Sequence, residues 1–530
     1  MKFLYFGGVV FRRVLGCLIS LGSVALAFPQ SVLAQEIAFD TDVSFFTDMG
    51  PVALMLLWPA GLILLISSAM PEQEAPTTAV NLLMTWCVAA LTYFAVGFAF
   101  QFGGIAQVSP HPELSGLYWE WYPLDQSVEL DTARLWGVVA LQGWGLTGPA
   151  STPLALRLFA AHVSLVGVAA MLPVSAIPYR LRGGLAMLVG LFTGLLLYPL
   201  AGNWVWGGGW LANMGTSLEW GHGFVDFGGA SLVFLSGSLV ALVALMFSKQ
   251  YPVSQTDLNQ AEAAEVVVTA ATDRSLTVYD AASPEVEEEE LLLISTPMPS
   301  AYLPLLGFLG AIFMVGGWFG VSAGSHTPTA LNFMPALAMV NGVLAALAAA
   351  FSSAAYSWFT TREFNPLMSV RGIVAGLIVA TASAPFVSTW VMVLAGLLMG
   401  VLLPLLIYFF EQRLDDSLGT LTTYGVSALI SLLLLALFAN GQSGQGWNNV
   451  GVDEYQGITD QGVSGLFVVA EFARDWPGQL QAQLLGIGTV AAWSLLIGFL
   501  LFQTIKTISD SWVKSGLEFT SPSRSSELEA

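Results

Sequence analysis

The feature that most constrains this chain is a series of apolar runs, each about as long as a bilayer is thick. A helix needs roughly 20 such residues to cross the hydrocarbon core. Five runs near that length lie at 52–70, 80–100, 154–176, 185–200 and 226–247. Five more lie at 303–320, 333–358, 372–385, 390–410 and 419–438, and a last one covers 484–502. They predict an all-α integral membrane protein with eleven transmembrane helices. Composition agrees: the 530 residues are 55% hydrophobic and 10% charged, far too apolar to cover a soluble globule with polar surface. The net charge of −20 resides in the connecting segments. The sixteen Lys and Arg residues form no basic cluster, which excludes a nucleic-acid surface.

At the N-terminus, Lys2, Arg12 and Arg13 precede an apolar stretch and the small-residue string Val32-Leu33-Ala34. That pattern predicts a signal peptide over 1–34, cleaved after Ala34. Cys17 falls inside it, so the mature chain keeps only Cys87 and forms no internal disulfide. The membrane domain is expected over 51–510, followed by a cytoplasmic tail, 511–530. Cleavage would put the mature N-terminus outside, and eleven spans would put the C-terminus inside. Ten Lys and Arg, among them Arg180, Arg362, Arg371 and Arg413, then fall on the inner side against Arg134, Arg157 and Arg474 outside, as the positive-inside rule requires. The inner connection 248–300 is distinct: between Lys249 and Leu291 stand ten acids and two bases. It reads as a disordered, solvated linker.

In a chain this apolar the informative residues are polar ones placed where lipid should be. Asp226 opens the fifth span and Asp416 the tenth. Eight residues beyond each lies an aromatic, Phe234 or Tyr424, about two turns deeper on nearly the same face. The two sets of five spans read as repeats, and an odd number of spans makes the second inverted relative to the first. A simpler role for each Asp is to cap its helix; the two roles are compatible.

The motifs then converge. Asn203-Trp204-Val205-Trp206-Gly207-Gly208-Gly209-Trp210, Asp226-Phe227-Gly228-Gly229, Gly317-Trp318-Phe319-Gly320-Val321-Ser322-Ala323-Gly324-Ser325 and the Asp415-Asp416 helix follow in the order found in the ammonium transporter (Amt/Rh) family. The chain resembles that family from about residue 51 to 510. The resemblance implies a 5+5 inverted repeat plus one C-terminal helix, a homotrimer embedded in lipid, no cofactor and no metal, and a narrow apolar pore in each subunit. It implies an outer vestibule in which Trp206 offers cation–π attraction, Ser325 accepts a hydrogen bond from ammonium and Asp226 supports the site. It also implies a PII-type regulator on the inner face, a docking that the acidic insert works against.

One part of that pattern is missing. The family's two facing pore histidines fall at Phe234 and Tyr424, and the gate aromatics fall at Val321 and at Ala161 or the nearby Phe159. The sequence holds only His111, His162, His222 and His326. His162 lies inside the third span as a possible pore-lining group or a hydrogen-bonded packing residue; His222 and His326 are expected at the interface. Phe has no proton site and Tyr titrates near 10, so a proton relay along two imidazoles is excluded. Three readings stay open: an ammonium/ammonia channel with a degenerate pore; a channel for another small neutral molecule such as CO2; and a non-conducting ammonium sensor or assembly subunit. No nucleotide loop, zinc cluster or catalytic triad suggests an enzyme.

Overall fold

Eleven apolar helices form the body of the protein in the computed structural model, which describes residues 43–109, 111–123, 136–178, 180–181, 183–250, 302–324, 326–327 and 333–514. They are α1 (Met49–Ser68), α2 (Ala75–Gln107), α3 (Pro153–Ala176), α4 (Gly184–Trp206), α5 (Ala230–Ser248), α6 (Leu303–Ser322), α7 (Pro335–Thr361), the shorter α8 (Pro366–Ala380), α9 (Thr389–Leu414), α10 (Leu421–Phe438) and α11 (Gly478–Ser509). Eleven spans are expected from the apolar runs; among the described residues ten helices are long and apolar enough to cross a membrane, and α8 is a shorter apolar helix. The signal peptide 1–34, the acidic connection beyond Gln250, most of the tail 511–530, and Ser325 lie outside the described residues.

Capping residues set several boundaries. Thr152 accepts a hydrogen bond from the Ala155 amide at 3.3 Å, with Pro153 as the first helical residue of α3. Asn365 does the same for the Met368 amide at 3.0 Å ahead of Pro366. Both pairs combine a side-chain acceptor for orphan amides with a proline whose missing N–H costs nothing there. The Asn365 cap explains one shift from expectation: α8 begins six residues before 372, which takes Arg371 out of a connection and into the helix.

The packing repeats itself. In the first half α2 packs against both α3 and α4; in the second half α7 packs against α8 and α9 in the same relation. The opening helices of the halves, α1 and α6, pack on each other. Lipid supplies no hydrophobic drive between helices, so close approach of small residues has to provide the contact. At the α1–α6 crossing a Cβ on Gly61 would stand 2.5 Å from the Gly310 carbonyl oxygen, and one on Gly310 would stand 2.6 Å from that of Gly61. Gly190 and Gly194 of α4 meet the carbonyls of Thr85 and Ala89 on α2; Gly396 and Gly400 of α9 meet those of Ala345 and Ala349 on α7. The same spacing on matching helices is a repeat written in glycine.

Outside the helices two short antiparallel pairs form. β1 (Glu120–Trp121) pairs with β2 (Val139–Ala140), and β3 (Glu454–Tyr455) with β4 (Ile458–Thr459). They belong to the long connections before α3 and before α11.

Candidate functional site

Asp226 and Asp416 hold the same place at the heads of α5 and α10. The Asp226 carboxylate accepts from the amides of Gly229, Ala230 and Ser231 at 2.9, 2.8 and 2.7 Å, and from the Ser231 hydroxyl at 2.6 Å. Asp416 accepts from the amides of Thr420 and Leu421, both at 2.9 Å. Each Asp thus satisfies the orphan amides four and five residues on. The intervening Gly229 and Gly419 both take positive φ, +86° and +65°, which glycine adopts without penalty. Each helix then opens with a π-turn, Ala230–Leu235 and Leu421–Val426. Both aspartates are buried, at 1% and 0% exposure.

Two turns below these caps the aromatic pair meets. The rings of Phe234 and Tyr424 stack with centroids 6.2 Å apart and planes 9° from parallel. Trp58 of α1 stands edge-on to Phe234 at 5.4 Å, and is fixed by its indole N–H donating to the Met314 carbonyl at 2.8 Å. Phe234 is 0% and Tyr424 2% exposed. The two positions inferred from the motifs therefore face each other and fill the space between α5 and α10 with hydrocarbon.

Trp206, at the end of α4, donates its indole N–H to the Asp226 carbonyl oxygen at 2.7 Å. This bond ties the Trp206 ring to the Asp226 backbone. The ring is only 1% exposed. His162 and His326 each meet it at 5.4 Å, inclined 73° and 71°. His162 donates through Nε2 to the His326 carbonyl at 2.9 Å, because a carbonyl can only accept. Its Nδ1 therefore accepts, from the Tyr198 hydroxyl at 2.7 Å and the Gln101 amide at 3.4 Å. Tyr93 donates onward to Gln101 at 2.8 Å. Every polar atom of the His162 ring is engaged, which favours the packing role over the pore-lining one.

His222 and His326 are not interfacial: both are fully buried. His326 donates through Nε2 to the Phe227 carbonyl at 2.6 Å, and its Nδ1 lone pair has no partner among the described residues. Burial pushes its pKa down to about 4 against the pull of that carbonyl. Burial also pushes His222 down to about 3, with its ring 4.6 Å from Tyr455. Burial favours the neutral imidazole in both; His326 lies against Trp206 and His222 against Tyr455.

The gate positions separate. Val321 is buried, close to Gly228 of the Asp226 motif, and Ala161 is buried in α3. Phe159 turns instead toward α2, stacked on Tyr93 at 5.8 Å and 9°. Two ionisable groups belong to none of the motifs. Glu120 accepts from the Asn203 amide at 3.1 Å, while burial lifts its pKa to about 8. Arg371 is 8% exposed within α8 and lines a cleft that reaches Tyr424. Among the described residues there is no group of three or more His, Cys, Asp and Glu able to hold a metal.

Comparison with known proteins bears on this arrangement. Residues 49–266 and 300–518 match the model described as Ammonium Transporter Family. The protein named ammonium transporter Amt2 of Archaeoglobus fulgidus is 24% identical over 461 residues, 86% of this chain and 81% of that protein. A solved structure titled Sensor Amt Protein superposes with a TM-score of 0.61 at 20% identity, covering 88% of this chain and 93% of that one. The crystal structure of Mep2 from Saccharomyces cerevisiae gives 0.58 at 18% identity, covering 87% and 86%.

Proposed function

This chain belongs to the ammonium transporter family, and on that premise we propose that it is a membrane channel, not an enzyme, through which ammonium nitrogen crosses as neutral ammonia. The observation that carries the proposal is the Phe234–Tyr424 stack. A bare cation in an apolar pore costs several kcal/mol, so ammonium must shed either its charge or its passage. Phenyl and phenol rings offer no imidazole lone pair to relay a proton alongside the cargo. Capture would occur at the Trp206 end, where the indole is tied to Asp226; Ser325 would complete it. Because Trp206 is buried, capture would need the aromatic cover around it to move. Ala161 and Val321 would leave the path above the stack lined by small aliphatic groups rather than stacked rings. The assembly is proposed as a lipid-embedded homotrimer with the Trp206 end outside and the C-terminus inside, in line with the distribution of Lys and Arg.

A second reading has its own support: with both rings buried and Trp58 edge-on behind Phe234, aromatic side chains pack the pore centre, which suits a non-conducting ammonium sensor. Proteoliposomes separate the two. Internal pH and charge movement would be recorded together after an ammonium jump. Ammonia flux without current supports the channel, and a sustained current overturns it. Specific ammonium binding with neither flux nor current transfers the case to the sensor. In the Phe234→His, Tyr424→His double variant, current is expected to appear.

A further inference from the structure

Two spaces lie on the α10 side of the aromatic stack. The smaller, between α1, α8 and the head of α10, measures about 10 Å3, room for one water-sized molecule. Leu65, Ile66 and Leu418 supply apolar walls, and Arg371, Thr423 and Tyr424 the polar ones. The larger space, about 420 Å3, is open and lies where α1 ends and where α6 and α8 begin, against Pro71, Leu303 and Pro366. Ala69 and Leu367 belong to both linings. Moving away from the pore centre, the stack is thus followed by a cell for one molecule and then by a wide mouth.

The polar wall of the cell fits a neutral guest. The Arg371 charge is already met by Asp416 and Glu411, so an ion of either sign would unbalance the set. What is left over is hydrogen-bonding capacity. Thr423 is 1% exposed and its hydroxyl has no partner among the described residues, although a helical threonine can donate to the carbonyl four residues back. No hydrogen bond of the Tyr424 hydroxyl is found among the described residues either. A small molecule that both donates and accepts would satisfy these groups, and the cell has no volume for a methyl group besides.

We infer that this cell is a size-selective way station for one molecule of ammonia, with Tyr424 as its hydrogen-bonding group and Leu367 as the wall past which ammonia leaves. The nitrogen lone pair accepts from the Tyr424 hydroxyl, and an ammonia N–H donates to the Thr423 oxygen. Methylamine carries one carbon more than the cell accommodates and is held back there. The inference rests on the ammonia-channel reading and adds a discrimination by size that the loss of charge alone does not supply.

Proteoliposomes holding the full chain test it. Internal alkalinisation would be timed after matched jumps of ammonium chloride and methylammonium chloride, with the rate of protein-free vesicles subtracted. The native chain is expected to pass ammonia at least about tenfold faster than methylamine, the usual discrimination for one methylene in a tight site. Leu367→Ala, at a half-buried position, should widen the exit and bring the two rates close to each other. Tyr424→Phe keeps the ring and removes the hydroxyl, and should slow ammonia about fivefold, the effect of one hydrogen bond. If the native chain passes no ammonia, the channel reading falls and this inference with it. If ammonia passes but methylamine keeps pace, or either variant behaves like the native chain, the inference alone fails and the cell holds a structural water only. Should Leu367→Ala not fold, the native ratio and Tyr424→Phe decide.

Discussion

The heads of α5 and α10 share a scaffold and differ in what surrounds it. Both place an aspartate under backbone amides, a glycine at positive φ three residues on and an aromatic ring eight residues on. At the α5 head the carboxylate takes four hydrogen bonds, and Trp206, His162 and His326 close over it. At the α10 head the carboxylate takes two, and a charged cleft reaches the aromatic ring. Duplication accounts for the cap; the difference lies in side chains contributed by other helices. A repeat therefore conserves how a helix starts and leaves free what its mouth recognises.

Removing the caps tests that asymmetry with the largest effect. Each accepted hydrogen bond contributes about 1 kcal/mol, and more when the abandoned donors stay buried. Asp226→Ala is expected to cost about 4 kcal/mol and Asp416→Ala about 2 kcal/mol, read as loss of thermal stability in detergent. Equal losses would mean that the extra bonds at Asp226 carry nothing and that the two heads are energetically alike.

What was legible in the sequence follows the same division. The offset of eight from Asp to ring is local, so one helical period sufficed to place Phe234 and Tyr424 on matching faces, and the inverted arrangement made them face each other. The span count came from apolar length alone. Apolar length alone misses Arg371, because the eighth apolar run starts at Gly372, one residue past it, although Asn365-Pro366 is a readable helix start. The burial of His326 rests on contacts with Phe227 and His162, 99 and 164 residues away, and no local pattern encodes such distances.

The symmetry of the halves predicts a middle-sized effect. Gly61 and Gly310 approach each other's carbonyls almost equally, so Gly61→Ala and Gly310→Ala should each cost about 2 kcal/mol through overpacking. The comparison sharpens if the two values agree and the double variant costs less than their sum, because the first methyl already forces α1 and α6 apart. It breaks if one site tolerates the methyl, since the crossing would then not be a shared axis of the two halves.

The smallest expected effect concerns pH and belongs to the Trp206 side. Glu120 is lifted to about 8 by burial, against the hydrogen bond from Asn203. Its folded state holds the proton more tightly than an unfolded chain, whose carboxyl titrates near 4.5. The stability it contributes is therefore present below about pH 4.5 and lost as pH rises toward 8. His222 and His326 act in the opposite sense. Burial holds them at about 3 and about 4, below the ordinary 6.5, so their contribution is full above 6.5 and is lost as pH falls through that window. Melting temperature should thus decline on both sides of a mildly acidic optimum. Glu120→Gln is expected to flatten the alkaline limb and leave the acid limb in place. An unchanged alkaline limb would assign it elsewhere, and Asp475, which burial also raises from its ordinary value, is the next carboxyl to replace.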